Sequence, residues 1–236
     1  MYSDCDIILP VTVPNEFLWT VASMCLRSAR ASTDANIIVV LNNSPDHKLA
    51  DDIREQCSLL NIQWIDMAGP FSLSAAYNLG AKLGNARYVA YGQSDILFFD
   101  GWLDRLIELW EEHPEYWVVW PFSFGTVHYG QSYRHSPKLE HRIVEDGFPQ
   151  GALSVMRRYD NYRWDEQFPF WELDADLSLH MKANKLKGGL CLWSRVDHLS
   201  STVSGNVFDI EDMKISNTKA TKRLSEKWAL EKRDKC

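Results

Sequence analysis

Apolar residues in the first half of the chain follow two alternating patterns. Short runs with no polar alternation, such as residues 37–41, are typical of strands buried on both faces of a sheet. Segments such as residues 16–29, with apolar residues three and four positions apart, predict helices packed on that sheet. The predicted strands are 6–11, 37–41, 62–65, 88–91 and 116–120, with predicted helices at 16–29, 49–60, 74–83 and 103–110. This alternation predicts βαβ units with right-handed crossovers, and therefore a mostly parallel sheet with helices on both faces.

The alternation stops at residues 121–150, which are rich in Gly, Ser, His, Tyr and Arg and show no clear periodicity. A loop of this length inside a compact domain is usually functional or mobile. A strand at 151–156, a helix at 174–185 and a last strand at 190–193 are predicted after it. Because no repeat or linker composition divides the chain, we expect one domain over residues 1–236.

The charge of the chain bears on its partners. The composition, 45% hydrophobic and 24% charged, excludes a largely disordered protein. The net charge of −7 argues against a nucleic-acid partner, because such affinity depends on neutralising phosphates. From Lys214 to Cys236 the chain carries eight Lys or Arg against three acids. This basic tail predicts a solvated helix, packing across the domain with Trp228 as an anchor, or attraction to an anionic membrane lipid or a phosphorylated substrate.

The cysteines and the N-terminus bear on the compartment. The five Cys are scattered and form no Cys-x-x-Cys pair. No run reaches the roughly 18 apolar residues of a transmembrane helix, and the N-terminus has no basic segment of the kind that opens a signal peptide. We therefore expect a cytoplasmic protein with reduced thiols and no transmembrane segment.

The ends of the predicted parallel strands are where a ligand is expected. Ligands of such sheets bind beyond the carboxyl ends of the strands, here residues 10–14, 41–46, 68–74 and 92–99. Asp95 follows the fourth strand in the sequence Gln93-Ser94-Asp95. A carboxylate at this place suits Mg²⁺ or Mn²⁺, which usually take one or two protein carboxylates plus substrate phosphates. Capping of a turn by Asp95 is the alternative.

Three acids, Glu172, Asp174 and Asp176, lie together at the start of a predicted helix. The helix dipole stabilises acids at this position, so helix capping can explain the three acids without a catalytic role. Three neighbouring carboxylates also repel one another, which favours proton uptake by one of them and suits a general base. His198, after the last predicted strand, is a candidate metal ligand or a satisfied structural residue.

Several catalytic motifs do not occur in the sequence. It contains no Walker A sequence, no Gly-x-Gly-x-x-Gly after the first strand and no Gly-x-Ser-x-Gly elbow. A P-loop kinase, a nicotinamide dehydrogenase and an α/β-hydrolase each lose their main support.

A series of short motifs resembles the family-2-like glycosyltransferases of the GT-A fold. They occupy residues 6–11, 37–46, 73–80, 88–95, 101–103, 151–158, 164–168, 173–177, 196–198 and 227–228. Each motif is weak alone, but their shared order covers nearly the whole chain. The resemblance implies an α/β GT-A fold, with a mostly parallel central sheet flanked by helices.

The resemblance also implies a function. It predicts a metal-dependent inverting glycosyltransferase, of the hexosyl- or deoxyhexosyltransferase type, that moves a sugar from a nucleotide-diphosphate donor to a hydroxyl of a glycan or other acceptor. Residues 1–120 would bind the nucleotide. Residues 121–205 would bind the acceptor, whose site the loop 121–150 would shape, and residues 206–236 would form a basic helical tail.

Particular residues receive roles from the same resemblance. The implied cofactor-binding residues are Pro10, Thr12, Asn42, Ser44, Asn78, Gln93 and Ser94. Asp95 and His198 would hold Mn²⁺ or Mg²⁺. Asp174 would be the catalytic base, and Asp176 would orient Asp174 or the acceptor. Trp171, close to that base, is the tryptophan best suited to stack against a sugar.

Two other classes of protein remain open. A binding module of the same fold would hold a nucleotide or glycan without catalysis, and it is favoured by Leu41 and Gln93, which stand where the family carries acids. A nucleotidyltransferase is disfavoured because residues 10–15 contain neither Gly nor a basic residue. The expected partners are a nucleotide sugar and a hydroxyl acceptor, with no nucleic acid, and the basic tail leaves a peripheral membrane contact open.

Overall fold

The structure of the chain is a computed structural model that describes residues 4–42, 44, 46–124, 143–145, 147, 149, 151–158, 162–199 and 210–233. The predicted loop at 121–150 lies mostly outside these residues. The strands are β1 (Cys5–Val11), β2 (Asn36–Asn42), β3 (Gln63–Met67), β4 (Tyr88–Gly92), β5 (Ile96–Phe98), β6 (Tyr116–Phe124), β7 (Ile143–Glu145), β8 (Leu153–Arg157) and β9 (Lys187–His198). The helices are α1 (Glu16–Ser32), α2 (His47–Leu59), α3 (Leu73–Leu83), α4 (Trp102–Glu112), α5 (Leu173–Asn184) and α6 (Ile210–Arg233).

The strands of the described part form one sheet in the order β3-β2-β1-β4-β8-β6-β9-β5, and β7 also pairs with β9. Strands β1 to β4 are parallel to their neighbours, as the βαβ pattern predicts. Strand β8 is inserted antiparallel between β4 and β6, and β9 is parallel to β6. Strands β6 and β9 therefore run in the direction of β1 to β4, and their carboxyl ends lie on the same edge of the sheet.

The helices begin where the sequence provides a cap. Asn15, Asp46 and Ser72 precede α1, α2 and α3, and each side chain accepts a hydrogen bond from the backbone N–H three residues further on. Such caps satisfy donors that the first turn of a helix leaves free. They fix the point at which the chain leaves the carboxyl edge of the sheet.

The core has two layers, one on each face of the sheet. Ile37 and Val39 of β2 pack in the layer built with α1, α2 and α4. Ile38 and Val40 pack in the layer built with α3, α5 and α6. Since successive side chains of a strand point to opposite faces, this apolar run is buried on both sides, as predicted.

A buried acid fixes the opposite, amino-terminal edge of the sheet. Asp6 is 1% exposed and accepts hydrogen bonds from Asn36 Nδ2 at 2.7 Å and from the backbone N–H of Ala86 at 2.8 Å. It also pairs with Arg158. A Cβ atom at Gly84 would lie 2.1 Å from Asp6 Oδ2, so position 84 requires glycine. Asp6 is far from the carboxyl edge and its contacts are structural.

Helix α6 packs on the α3–α5 side of the sheet. Leu224 and Trp228 are buried in that layer, which confirms Trp228 as the predicted anchor of the basic tail. Among the helices of the described residues, none has the length and apolar character needed to cross a membrane.

Candidate active site

A narrow crevice lies at the carboxyl edge, where β1 and β4 end. It is lined by Pro10, Thr12, Phe71, Leu73, Gln93, Ser94 and Phe170. The rings of Phe71 and Phe170 contact each other, with centroids 5.6 Å apart. The structure thus brings four of the predicted cofactor-binding residues, Pro10, Thr12, Gln93 and Ser94, into one cavity.

Two further predicted residues support the walls of this crevice. Asn42, at the end of β2, is fully buried, and its Oδ1 accepts a hydrogen bond from the backbone N–H of Ser72 at 2.7 Å. This bond fixes the segment that carries Phe71. Ser44 Oγ accepts a hydrogen bond from the backbone N–H of Val13 at 3.3 Å, which ties the end of β2 to the end of β1.

The pairing of β5 with β9 brings Asp95 and His198 together. The register places Ile96 opposite His198, and the backbone N–H of Leu199 donates to the Asp95 carbonyl at 2.9 Å. Asp95 Oδ1 lies 3.2 Å from His198 Nε2, and the two side chains are 2% and 6% exposed. The distance between the two atoms is that of an ion pair, but their relative orientation does not form a hydrogen bond. Within the described residues, Asp95 Oδ1 and both ring nitrogens of His198 have no hydrogen-bond partner.

Such a pair of buried groups, whose atoms lack hydrogen bonds, fits a divalent cation. Buried polar atoms normally have hydrogen-bond partners, so these orphaned atoms call for an explanation. A carboxylate oxygen and an imidazole nitrogen can both be ligands of a metal ion. No group of three or more His, Cys, Asp or Glu converges at a metal-binding distance anywhere in the described part of the chain. A cation here would therefore take its other ligands from substrate phosphates or water.

Asp174 lies beside the same crevice, in the first turn of α5. Glu172, the N-cap residue that precedes α5, has a left-handed backbone with φ of 68°. A Cβ atom at Gly151 would lie only 3.2 Å from Asp174 Oδ2. The Gly151 carbonyl in turn accepts a hydrogen bond from Gln93 Nε2 at 2.9 Å. Gly151 therefore connects the predicted base to a residue that lines the crevice.

Asp176 is bound to α6. Its two carboxylate oxygens lie 2.7 and 2.9 Å from Lys227 Nζ, and Oδ1 also accepts from Trp228 Nε1 at 2.9 Å. Burial opposes the charge of Lys227, but hydrogen bonds to Asp176 and Asp165 outweigh it and raise the pKa of Lys227. These contacts make Asp176 a docking residue for the helix. Its expected role in orienting Asp174 or the acceptor stays a prediction.

The side chain of Asn78 is hydrogen-bonded to other residues of the chain. Its Nδ2 donates to the Trp164 carbonyl and to Glu166 Oε1, both at 2.9 Å, and its Oδ1 accepts from the Trp164 backbone N–H at 3.0 Å. Both amide hydrogens are therefore engaged with the segment that follows β8. Asn78 is not among the residues that line the crevice, so its predicted part in cofactor binding has no contact to support it.

Sequence reasoning did not place Gly151, Phe71 or Lys227 in this network. Phe71 lies in segment 68–74, which the sequence places at the end of a predicted strand, where a ligand is expected. Its contact with Phe170 depends on the tertiary fold. Trp171, predicted to stack against a sugar beside Asp174, is not among the residues that line the crevice. It lines a separate cavity between α6 and the segment before α5.

The chain belongs to glycosyl transferase family 2, whose sequence model matches residues 10–165. No curated protein matches the chain by sequence. Among solved structures it is similar to GalNAc-T7 with UDP, GalNAc and Mn²⁺, with a TM-score of 0.68 and 14% identity over 82% of this chain and 42% of that one.

Staphylococcus aureus TarS is also similar in structure. Residues 1–349 of S. aureus TarS match with a TM-score of 0.63 and 12% identity, over 84% of this chain and 60% of that one. Another S. aureus TarS structure matches with a TM-score of 0.62 and 14% identity, over 84% and 37%. The chain thus spans about half the length of these structures. The likeness confirms the predicted GT-A fold and the mixed α/β architecture.

Proposed function

We propose that the chain is an inverting glycosyltransferase that moves a sugar from a nucleotide-diphosphate donor to a hydroxyl of a glycan or other acceptor. The family supports glycosyl transfer as the chemistry. The observation that carries the finer proposal is the buried pair of Asp95 and His198 next to the crevice, whose Asp95 Oδ1 and ring nitrogens have no hydrogen bond among the described residues. Asp174 lies close to Gly151, whose carbonyl accepts a hydrogen bond from Gln93 of the crevice.

The donor would lie in the crevice. Pro10 and Thr12 would contact the base and ribose, while Gln93 and Ser94 would lie along the diphosphate. Similar crevices hold nucleotides at the carboxyl ends of strands, and GalNAc-T7 carries UDP and Mn²⁺ in its crystal structure. The cavity measures about 10 Å³, far below the several hundred Å³ of a typical ligand site. A nucleotide would therefore enter only if the walls of the crevice, which include Phe71 and Phe170, move apart.

Asp95 and His198 would hold a Mn²⁺ or Mg²⁺ ion. When bound, such an ion supplies positive charge that stabilises the nucleoside diphosphate as it leaves the sugar. Both side chains are held by the β5–β9 pairing, so they are in position before the substrate arrives. A pre-formed site needs little reorganisation during the reaction, which is the main source of electrostatic catalysis.

Asp174 would be the general base. The N-terminus of α5 stabilises its ionised carboxylate, so that it can accept a proton from the acceptor hydroxyl. The hydroxyl oxygen forms a bond to the anomeric carbon as the bond to the diphosphate oxygen breaks on the opposite face. The configuration of the sugar is inverted, and the leaving diphosphate keeps the electron pair.

A thermal-shift panel of nucleoside diphosphates and their sugars, with and without Mn²⁺, tests this proposal. A ligand that binds only the folded state at a hundred times its Kd stabilises it by about 2.7 kcal/mol, or roughly 5–10 °C for a chain of this size. We expect at least one nucleotide to raise the Tm only when Mn²⁺ is present. A panel with no shift in either condition would refute the proposed donor site.

A further inference from the structure

A second cavity, of about 380 Å³, lies between α6 and the segment that leads into α5. The residues that line it include Pro169, Trp171, Lys219, Lys222, Arg223 and Glu226. Three cationic side chains therefore face it, against one acid. This excess of positive charge contrasts with the net charge of −7 of the whole chain.

The segment 169–171 is the wall between this cavity and the donor crevice. Phe170 lines the crevice, while Pro169 and Trp171 line the α6 cavity. The same segment runs directly into the helix that carries Asp174. Asp174 is three positions after Trp171, so their Cα atoms are at most about 11 Å apart. A ligand in the α6 cavity would therefore lie on the far side of the wall from the nucleotide, yet close to the proposed base.

The walls of the cavity are fixed by hydrogen bonds. Arg223 Nη1 donates to the Gln167 carbonyl at 2.8 Å, and Thr221 Oγ1 donates to Glu172 Oε1 at 2.6 Å. One bond holds the start of the segment and the other its end. The cavity is consequently formed before any ligand binds, which lowers the entropic cost of binding.

The cationic side chains of the cavity can still bind an anion. Arg223 uses one of its five N–H donors on Gln167, and the rest of its planar head can still bind an anion. Lys222 contacts Glu226 only at 3.8 Å, and both side chains are mostly exposed, so this pair is weak. The indole of Trp171 adds a flat apolar surface of the kind that packs against a sugar ring.

We propose that this cavity is an acceptor subsite that binds a sugar unit carrying a phosphate group. Lys219, Lys222 and Arg223 would bind the phosphate oxygens, and Trp171 would contact the attached unit. The inference rests on the proposed function, because it places an acceptor on the Asp174 side of the segment 169–171. The acceptor would thus be an anionic glycan rather than a neutral one.

Ligand-observed NMR with glucose 6-phosphate, and with glucose as its uncharged counterpart, tests the subsite. The variant is Lys219→Glu, and its matched control is Lys214→Glu, an exposed lysine of the same helix that does not line the cavity. We expect glucose 6-phosphate to bind at millimolar concentration, at least fivefold tighter than glucose. Lys219→Glu should weaken this binding roughly fivefold or more, and Lys214→Glu less than twofold.

Equal affinity for the two sugars, or equal effects of the two variants, would overturn the subsite. Competition between glucose 6-phosphate and the nucleotide that gives the largest thermal shift would also overturn it, because the cavity would then belong to the donor. A third arm uses phosphatidylglycerol vesicles. If the protein binds these vesicles through Lys219 but does not bind glucose 6-phosphate, the cavity is a membrane-binding surface and not an acceptor subsite.

These outcomes differ from a failure of the proposed function. If glucose 6-phosphate binds as expected while no nucleoside diphosphate shifts the Tm, the donor proposal fails and the cavity is not an acceptor subsite. If nucleotides shift the Tm while glucose 6-phosphate does not bind, only the subsite fails.

Discussion

Asp95 Oδ1 lies 3.2 Å from His198 Nε2, and neither group has a hydrogen-bond partner among the described residues. The two side chains come from distant parts of the sequence and meet because β5 pairs antiparallel with β9. A buried carboxylate oxygen that lacks a hydrogen bond is costly for folding. The position of this pair next to the crevice therefore supports the proposed cation site.

Replacing Asp95 by the isosteric Asn should remove the Mn²⁺ dependence of nucleotide binding. The amide removes the negative charge that holds a cation, while the volume of the side chain is kept. We expect the Mn²⁺-dependent part of the Tm shift to disappear in Asp95→Asn. The Tm of the protein alone should stay equal or rise, because a buried carboxylate whose Oδ1 lacks a hydrogen bond is replaced by a neutral amide.

The matched control is Asp100→Asn, an exposed acid just after β5. It should keep the full Mn²⁺-dependent shift. A normal shift in Asp95→Asn would remove Asp95 from the metal site.

Substituting Gly151 by Ala should disturb the proposed base without unfolding the protein. Its Cβ would lie 3.2 Å from Asp174 Oδ2 and 3.3 Å from Cγ, so the carboxylate must move by a few tenths of an ångström. Small misplacements of catalytic groups cost rate, and we expect about a tenfold loss of sugar transfer.

Gly147→Ala is the control for this substitution, because a Cβ at position 147 meets nothing within 4 Å. It should transfer sugar at the wild-type rate. Equal rates for both glycine variants would argue that Asp174 does not need its present position.

Removing the amide of Asn78 should reduce stability and leave donor binding unchanged. Asn78→Ala strips the buried Trp164 backbone of two hydrogen bonds, at a cost of about 2 kcal/mol. Chemical denaturation measures that loss. The exposed amide of Asn184, which donates to the His180 carbonyl, gives the control Asn184→Ala, with a cost below about 1 kcal/mol. A changed nucleotide Kd in Asn78→Ala would instead support the predicted cofactor role.

The docking of α6 through Lys227 should depend on alkaline pH. The pKa of Lys227 is raised above its ordinary value of 10.5, since its bonds to Asp176 and Asp165 outweigh burial. Its contribution to stability is therefore full below pH 10.5 and is lost as the pH rises through the higher value in the folded state.

Thermal denaturation of wild type and Lys227→Met between pH 8 and about pH 12 measures this effect. The Tm difference should stay constant up to pH 10.5 and shrink above it. Lys222→Met, at a lysine that is 76% exposed, should show almost no difference at any pH. A Lys227 difference that already falls at neutral pH would contradict the raised pKa.

Much of the fold could be predicted from local pattern. Strands β1, β2 and β4 are apolar runs bounded by turn residues, and the helices between them have capped starts. The short strands β5 and β7 were missed because three residues show no periodicity. Strand β9 extends beyond the predicted 190–193 to Lys187–His198, since polar residues in its second half interrupt the apolar pattern. The antiparallel insertion of β8 depends on long-range pairing, which no local pattern records.

Part of the candidate site could be predicted, namely the residues whose proximity follows from their position at the end of a strand. Thr12, Gln93 and Asp95 follow strands whose carboxyl ends share an edge, so their proximity follows from topology. The partners of Asp176 and Asn78 were not predictable, because Lys227 and Trp164 reach them only in the tertiary structure. A carboxylate or an amide looks the same in sequence whether it binds a ligand or another part of its own chain.

The most direct measurement is sugar transfer by Asp174→Asn compared with Asp104→Asn, together with donor binding by both. Each acid lies in the first turn of a helix, so the two variants lose the same interaction with a helix dipole. Nucleoside diphosphate release from the donor that the panel identifies gives the rate. The account predicts at least a hundredfold slower transfer in Asp174→Asn with an unchanged donor Kd, and a wild-type rate in Asp104→Asn. Wild-type transfer by Asp174→Asn would contradict it.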